Sequence, residues 1–175
     1  SANLRSASGE RALPLEQLWT GPGETAADPR ELLVRVDVPA PAPTTGSAYV
    51  RLEYRRQMEI AVVGVTAVVR LDAGSVSDAR VAITALAPTI RRVSEAEAAL
   101  IGSDGGDEAI AEAARAAASG SSPITDVRSS AEYRSAMANV IARRAIVVAL
   151  ARARGEHVPI PASAATYASV GGTST

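Results

Sequence analysis

The segment at residues 49–59 gathers the side chains in this chain that are best suited to binding chemistry. It reads Tyr-Val-Arg-Leu-Glu-Tyr-Arg-Arg-Gln-Met-Glu and carries three arginines and two tyrosines. A guanidinium group binds phosphates, carboxylates and flat π-systems alike. This segment, called the arginine corner below, therefore indicates either an interface or cofactor edge, or an exposed corner between two strands that is held by salt bridges.

The rest of the chain offers little for covalent or metal chemistry. Cysteine is absent, which removes thiolate nucleophiles, iron–sulfur ligation and cysteine-based zinc sites. The single histidine, His157, stands near prolines with no second His to share a metal, so we expect it to be exposed and unable to complete a Ser-His-Asp triad. Gly102, Gly105 and Gly106 lack the lysine spacing of a phosphate loop and predict a turn between helices. The sequence predicts neither catalytic residues nor metal ligands.

Composition indicates one main globular domain with a core of small aliphatic side chains. The chain has 175 residues, of which 47% are hydrophobic, yet it contains no Phe. A formal net charge of −1 gives no electrostatic reason to expect a nucleic acid or an anionic membrane as partner. No segment reaches the roughly 18 uninterrupted apolar residues of a membrane span, and we expect a cytoplasmic protein.

The first thirty residues predict a β-hairpin followed by irregular structure. Two short strands at 2–6 and 11–15 flank a turn that contains Gly9. One helical turn then precedes Gly21-Pro22-Gly23, and such a run of Gly and Pro usually interrupts regular secondary structure. We expect a loop from there to about Arg30.

Residues 31–38 predict a strand, because apolar and charged side chains alternate along most of it. The alternation places Leu32, Val34, Val36 and Val38 on one face and Leu33 on the other. A Pro-rich run at 39–45 cannot donate a regular ladder of hydrogen bonds and predicts an extended connector. This connector is the best domain boundary in the sequence.

Beyond the connector, strands come first and helices follow. Runs at 47–55, 60–71 and 76–86 predict three strands of an antiparallel meander, with Ala79, Val81 and Ile83 on the core face. Strands followed by helices are typical of an α+β fold. We therefore expect a three-stranded antiparallel sheet with helices packed on one face.

Three helices are predicted after the sheet. The first follows Ser94, which forms a capping-box pattern with Glu97, and the second begins at Asp107. The third begins at Ser129 or Ser130 and runs to Gly155, and its stripe of apolar residues should cover the sheet. That stripe comprises Tyr133, Met137, Val140, Ile141, Ala145 and Val148. Asp126 and Arg128, like Glu132 and Arg134, are interpreted as ordinary solvated or loop-anchoring charges.

Several short motifs recur in the order and spacing of a known family. They are Gly9-Glu10-Arg11, Gly21-Pro22-Gly23, Glu31-Leu32-Leu33, Tyr49-Val50-Arg51, Arg55-Arg56, Val63-Gly64-Val65, Asp126-Val127-Arg128 and Ala131-Glu132-Tyr133-Arg134. Over residues 4–153 the chain resembles the C-terminal region of the FAD-binding (medium) subunit of the xanthine dehydrogenase and carbon monoxide dehydrogenase family of molybdenum hydroxylases. The glycine-rich segments that hold the FAD pyrophosphate in that family are not contained in this sequence.

The resemblance implies a division of the chain and a set of partners. Residues 1–39 would be a small β-rich remnant of the second FAD-binding subdomain, 40–155 the C-terminal domain of the flavoprotein subunit, and 156–175 a flexible tail. The cofactor of the complete subunit would be FAD, with weak or absent binding to this piece alone. The partners would be an iron–sulfur subunit and a molybdopterin subunit, from whose clusters electrons reach FAD and then an acceptor.

Two residues are implied as flavin contacts by the same resemblance. Leu33 matches a residue whose apolar side chain packs near the flavin, and Arg51 matches a Lys beside the ring system. On this view the chain supplies a flavin lid and a docking surface and is not catalytic alone. Two alternatives stay open. One is a stand-alone α+β protein-interaction module without flavin, and the other is a structural or scaffold domain whose arginine corner binds a partner chain.

Overall fold

The structure is a computed structural model, and it describes residues 1–55 and 58–159. Within these residues, antiparallel sheets occupy the first part of the chain and three α-helices follow them. The predicted α+β fold is confirmed. Buried apolar residues form two separate clusters, a small one in residues 2–18 and a large one in residues 48–150.

The N-terminal unit is a set of short strands around the small core. Its elements are β1 (Ala2–Ser6), β2 (Gly9–Leu13), a 3-10 helix (Leu15–Gln17), β3 (Trp19–Gly21), β4 (Glu24–Thr25) and β5 (Leu32–Val36). The predicted hairpin is β1 with β2, and β5 pairs antiparallel on the other side of β1. The segment predicted as a loop instead contains the β3–β4 hairpin, which turns through Gly23 at a positive φ of 75°.

The strand β5 differs from its predicted pattern. None of its five residues is buried, so the series expected on the core face is exposed in this chain. A bulge beside Asn3 and Leu4 shifts the register, and Leu33 pairs with Leu4 while Val36 pairs with Ala2. Because paired residues point to the same side of a sheet, Leu33 lies on the side of the small core and not opposite to it. The prediction from strict alternation was wrong for this strand.

The large core is built on an antiparallel sheet of four strands. These are β6 (Thr45–Leu52), β7 (Val63–Asp72), β8 (Ser75–Thr84) and β9 (Arg91–Arg92), in that spatial order. The first three form the predicted meander, and Ala79, Val81 and Ile83 are buried as expected. The two-residue edge strand β9 was not predicted, since a pair of arginines carries no strand signal.

Three helices cover one face of this sheet. They are α1 (Ser94–Leu100), α2 (Asp107–Ser119) and α3 (Ala131–Ala153). The helix α3 packs on β6 and β7, α2 packs on α3, and α1 packs on β8. Ser130 caps α3 by accepting a hydrogen bond from the Tyr133 N–H at 3.2 Å, and Gly155 follows its end with a positive φ of 84°. None of the helices in the described ranges is long and apolar enough to cross a bilayer.

The predicted capping box at the start of α1 is absent. Val93 occupies the N-cap position without a side-chain cap, and the Ser94 hydroxyl contacts Glu95 instead. The Glu97 carboxylate accepts the Val81 N–H at 3.0 Å and receives the Arg92 guanidinium at 2.7 and 2.9 Å. Glu97 therefore ties α1 to the edge of the sheet, a tertiary role that local sequence spacing does not reveal.

The buried face of α3 is rotated from the predicted stripe. Ile141, Ala145 and Val148 are buried as expected, whereas Tyr133 is exposed. The face against the core contains Arg134, Ala138, Ile141, Ala142, Ala145, Ile146, Val148, Ala149, Leu150 and Ala153. Small alanines let the helix approach the strands closely, which suits a chain without Phe.

The end of the chain bears on two predictions. His157 is exposed, as expected, and Arg152 donates hydrogen bonds to the carbonyl oxygens of Val158 and Pro159. Most of the predicted flexible tail, 160–175, lies outside the described residues.

Candidate functional site

Arg51 lies near the end of β6, on the face of the four-stranded sheet that the helices leave open. It is in register with Gly64 of β7, which is in register with Thr84 of β8. The sequence neighbours of these three residues, Val50, Val65 and Ile83, are fully buried in the cluster shared with α3. Since side chains alternate along a strand, Arg51 and Thr84 point away from the helices.

The guanidinium of Arg51 is only partly engaged. Its Nε contacts a carboxylate oxygen of Glu53, and the Arg51 side chain is 34% exposed. That same Glu53 oxygen, Oε2, is buried and accepts no hydrogen bond of good geometry from the described residues. Within the described part of the chain, the terminal NH1 and NH2 groups of Arg51 have no partner. Four N–H donors on these two nitrogens are therefore left to meet another molecule or water.

Gly64 creates a close approach on the same open face. A Cβ atom at this position would lie 2.7 Å from the Tyr49 hydroxyl, 3.1 Å from the Tyr49 ring and 2.8 Å from Thr84 Oγ1. Tyr49 thus leans across β7 over the glycine, while its side chain stays 43% exposed. Tyr49 thus fills the space over Gly64, and any larger residue at this position would displace it.

The described remainder of the arginine corner contains one local ion pair and one long-range hydrogen bond. Arg55 Nε donates to Glu59 at 3.1 Å, and the Tyr54 hydroxyl donates to the Arg128 carbonyl oxygen. The Arg55 guanidinium, followed by the Ile60 backbone N–H, lowers the pKa of Glu59 below its usual range. Arg56 lies outside the described residues.

Leu33 and Arg51, the two implied flavin contacts, belong to different sheets. Leu33 lies on the edge strand β5 of the N-terminal sheet and is 50% exposed, so its side chain is accessible to a further molecule. No strand pairing or hydrogen bond among the described residues connects it with Arg51.

An apolar cavity of about 370 Å³ lies beside the corner, between the β3–β4 turn, the segments before β7 and after β8, and the loop before α3. Pro22, Ile60 and Ile124 contribute to its wall, together with Asp126 and Arg134. Among residues 1–55 and 58–159, no group of three acidic or histidine side chains converges to hold a metal ion.

Arg134 is a buried structural cation that anchors loops, the second of the two roles that the sequence interpretation gave it, and its burial was not predicted. Its side chain is 5% exposed, NH1 donates to the carbonyl oxygens of Val62 at 2.9 Å and Ala85 at 3.3 Å, and NH2 donates to Asp126 Oδ1 at 2.7 Å. The Arg128 backbone N–H, followed by the Arg134 side chain, lowers the pKa of Asp126. The helical spacing of position 134 from Ala138 and Ile141 could have placed it on the buried face.

Comparison with known proteins gives consistent relatives over most of the chain. A carbon monoxide dehydrogenase medium chain from Hydrogenophaga pseudoflava is 35% identical over 149 residues, which cover 85% of this chain and 52% of that protein. A putative xanthine dehydrogenase FAD-binding subunit from Escherichia coli K12 is 29% identical over 154 residues, covering 87% of this chain and 53% of that protein. This chain spans about half the length of the curated relatives it matches.

Solved structures and a family profile agree with these relatives. The carbon monoxide dehydrogenase structure from Hydrogenophaga pseudoflava superposes with a TM-score of 0.83 at 37% identity, covering 86% of this chain and 52% of that one. Residues 48–149 match the family described as CO dehydrogenase flavoprotein C-terminal domain. The matched range contains Arg51, Gly64 and Thr84 of the open sheet face, and the chain belongs to this family of flavoprotein domains.

Proposed function

We propose that this chain acts as the C-terminal part of a flavoprotein subunit of a molybdenum hydroxylase. FAD, when bound, takes up electrons from iron–sulfur clusters and passes them to a final acceptor. The chain itself contributes a wall of the flavin site and a docking surface, and it performs no catalysis alone. Its partners in this role are an iron–sulfur subunit and a molybdopterin subunit.

The observation that carries this proposal is the partly engaged guanidinium of Arg51 on an open sheet face. A cation next to a flavin ring favours the negatively charged reduced form and raises the midpoint potential. The row of Arg51, Gly64 and Thr84 faces away from the helices, and the Tyr49 ring covers Gly64, so the row presents a positive charge beside a flat aromatic surface. Charge and shape therefore suit an electron-rich planar ligand.

Leu33 has a complementary role in this proposal. Its exposed apolar side chain on an edge strand can cover a ring system and limit access of water. Contact with the flavin would remove that apolar surface from water, which is favourable by itself.

A docking role is supported by exposed apolar side chains at the cavity beside the arginine corner. Ile60 and Ile124 line the cavity and are exposed, and Tyr54, Met58 and Val127, which are close to them in sequence, are exposed too. Exposed apolar side chains of this kind are typical of protein–protein contact surfaces. The alternative function, a stand-alone interaction module without flavin, would use the same surface. A bound yellow chromophore in the purified subunit distinguishes the two, because the module would be colourless.

The test replaces Arg51 in the full-length, FAD-loaded subunit that carries this chain. Arg51→Ala should lower the flavin midpoint potential and slow reduction of the acceptor, whereas Arg51→Lys should be largely tolerated because it keeps the positive charge. Arg80→Ala is the matched control, since Arg80 is an exposed arginine of β8 in the same sheet. An unchanged potential and rate in Arg51→Ala would assign the residue a purely structural role.

The isolated chain should bind FAD weakly at best. It contains no phosphate cradle, and flavin affinity depends on holding the dinucleotide as well as the ring. Equilibrium titration of the chain with FAD, followed by flavin fluorescence, measures this directly. Sub-micromolar affinity would contradict the view that the chain is one part of a larger site.

A further inference from the structure

The open sheet face carries hydrogen-bonding groups besides those of Arg51. Tyr49 sits two residues before Arg51 on the same face of β6, and Thr84 is separated from Arg51 only by Gly64. Within the described residues, neither the Tyr49 hydroxyl nor the Thr84 hydroxyl has a hydrogen-bond partner. Both are half-accessible side chains, so their donors can reach a further molecule.

The other end of the same sheet shows how the chain treats polar groups that serve only the fold. There the Ser77 hydroxyl accepts a hydrogen bond from Arg70 Nε at 3.1 Å and donates to the Arg70 carbonyl oxygen at 3.2 Å. The hydrogen-bonding groups of Arg70 and Ser77 are thus paired with each other between β7 and β8. Among the described residues, the hydroxyl groups of Tyr49 and Thr84 are not paired in this way, and they stay available to water or to a further molecule.

Gly64 keeps these groups in one arrangement. Its φ is not positive, so the glycine is required here for space and not for backbone conformation. The Tyr49 ring occupies the place of the missing side chain, and its hydroxyl and that of Thr84 both lie beside this position. Two donor side chains therefore lie next to one buried glycine, which is in register with Arg51.

We propose that Tyr49 and Thr84, positioned by Gly64, recognise the pyrimidine-dione edge of the flavin ring. This inference rests on the proposed function and extends the contact surface from one residue to a small site. A flavin ring has one polar edge with two carbonyl oxygens and one edge that carries methyl groups. Hydroxyl donors and a guanidinium match the carbonyl edge, while an apolar side chain such as Leu33 matches the methyl edge.

The hydroxyl groups of Tyr49 and Thr84 affect the midpoint potential of the flavin as well as the affinity for FAD. Negative charge on the pyrimidine edge grows when the ring is reduced, and a hydrogen bond to a charged acceptor is stronger than one to a neutral acceptor. Tyr49 and Thr84 therefore stabilise the reduced ring more than the oxidised ring. Removing either hydroxyl lowers the midpoint potential in addition to weakening binding.

The experiment uses the full-length subunit that carries this chain, stripped of flavin and titrated with FAD. Tyr49→Phe and Thr84→Val preserve side-chain shape and remove one donor each, and each should weaken FAD binding about fivefold, the value of one ordinary hydrogen bond. Each should also lower the midpoint potential of the bound flavin. Ser47→Ala is the matched control, because it removes an exposed hydroxyl from the same strand, two residues before Tyr49.

A second variant tests the geometry. Gly64→Ala introduces a methyl group 2.7 Å from the Tyr49 hydroxyl, so Tyr49 must swing away and FAD binding should weaken at least as much as in Tyr49→Phe. Thermal unfolding of each variant checks that the fold is intact.

Arg51→Ala in the same titration separates this inference from the proposed function. If Arg51→Ala weakens binding while Tyr49→Phe and Thr84→Val behave like Ser47→Ala, the inference is overturned and the proposed function stands. If Tyr49→Phe, Thr84→Val, Gly64→Ala and Arg51→Ala all bind FAD like the wild type, the flavin does not approach this face. The inference and the proposed function are then both wrong.

Discussion

Two arginines of this chain illustrate how surroundings decide the role of a guanidinium. Both terminal nitrogens of Arg134 donate hydrogen bonds within the protein. Its third nitrogen, Nε, is buried and has no partner among the described residues. Arg51 keeps both terminal nitrogens without partners among the described residues and remains one-third exposed. A buried, bonded cation maintains the fold, whereas an open one is available for recognition.

Replacing Arg134 should be among the most destabilising changes to a charged residue in this chain. Arg134→Met keeps the length of the side chain but leaves the carbonyl oxygens of Val62 and Ala85 unpaired and separates Asp126 from its buried partner. Breaking such a pair costs about 3 kcal/mol of the free energy of unfolding. Urea unfolding of Arg134→Met against wild type measures the loss.

Arg128→Met is the control for this prediction. Arg128 also faces Asp126, at 3.6 Å, but its side chain is 37% exposed, and an exposed ion pair contributes under about 1 kcal/mol. Equal effects of the two variants would show that burial of Arg134 does not set its contribution.

Single residues were predictable where local sequence carried the information. The exposure of His157 followed from its position near prolines, whereas the flavin contacts implied for Leu33 and Arg51 stay predictions. The tertiary role of Glu97 and the burial of Arg134 were not predicted, because one partner of each, Val81 and Val62, lies 16 and 72 residues away in sequence. Sequence spacing alone carries no signal for such contacts.

At the level of elements, Gly46 shows how closely the sheet and α3 approach each other. A Cβ atom at Gly46 would lie 2.0 Å from the Ala149 carbonyl oxygen and 2.3 Å from the Ala153 nitrogen. Both atoms belong to the backbone of α3, so no rotamer change can relieve the overlap. The strand and helix can pack at this distance only with a glycine in the strand and alanines in the helix.

Gly46→Ala should therefore shift α3 away from β6 and lower the melting temperature markedly. Overpacking a core usually costs about 1 to 3 kcal/mol, and a clash with backbone atoms lies at the upper end. Gly21→Ala is the control, since the atom nearest to its Cβ is the flexible carboxylate end of Glu24, at 2.9 Å. Calorimetry of both variants compares them, and similar melting temperatures would contradict the argument.

Element boundaries were predicted best where the local signal was strong. The helix α2 begins at Asp107 and ends at Ser119 as expected, because good helix formers lie between an acidic start and Gly120. The strands of the meander were predicted to within a few residues, because their β-branched runs are a strong local signal as well. The bulge in β5 and the two-residue strand β9 could not be predicted, since both depend on pairing with distant residues.

At the scale of the whole molecule, the chain contains two cores of unequal size. The small core consists of Ala2, Leu4, Leu13 and Leu18, with Ala26 and Ala27 packed against it. The only ion pair between the N-terminal unit and the rest, among the described residues, joins Glu16 and Arg92 at 3.9 Å. The division at the Pro-rich connector stays a prediction, and four buried aliphatic residues give the N-terminal unit little stability of its own.

We expect the two units to unfold separately, and the chain contains a natural probe for each. Trp19, the single tryptophan, lies in β3 of the N-terminal unit, whereas all α-helices of the described residues lie in 94–153. In urea, the change in tryptophan fluorescence should therefore precede the loss of the helical circular dichroism signal. Coincident transitions are the signature of a single cooperative unit and would contradict two cores.

Acid should weaken the N-terminal unit through one carboxylate in particular. Glu31 accepts hydrogen bonds from the Arg11 side chain at 2.7 and 2.8 Å and from the Asp28 backbone N–H at 2.7 Å, and these lower its pKa from 4.5 to about 2. Because the folded pKa lies below the unfolded one, the stabilisation is complete above pH 4.5 and is lost as the pH falls towards 2. The tryptophan transition should thus move to lower urea between neutral pH and about pH 3.5.

Glu31→Gln isolates this contribution. The variant should lower the urea midpoint of the tryptophan transition at neutral pH and reduce its shift in acid, while Asp28 and Asp37, whose pKa values are also lowered, account for the shift that remains. The helical transition should keep the midpoint that the wild-type chain has at the same pH, because Glu31 bonds only to groups of the N-terminal unit in the described structure. Were Glu31→Gln to move both transitions equally, the connector would couple the two cores and residues 1–39 would be an integral part of the domain.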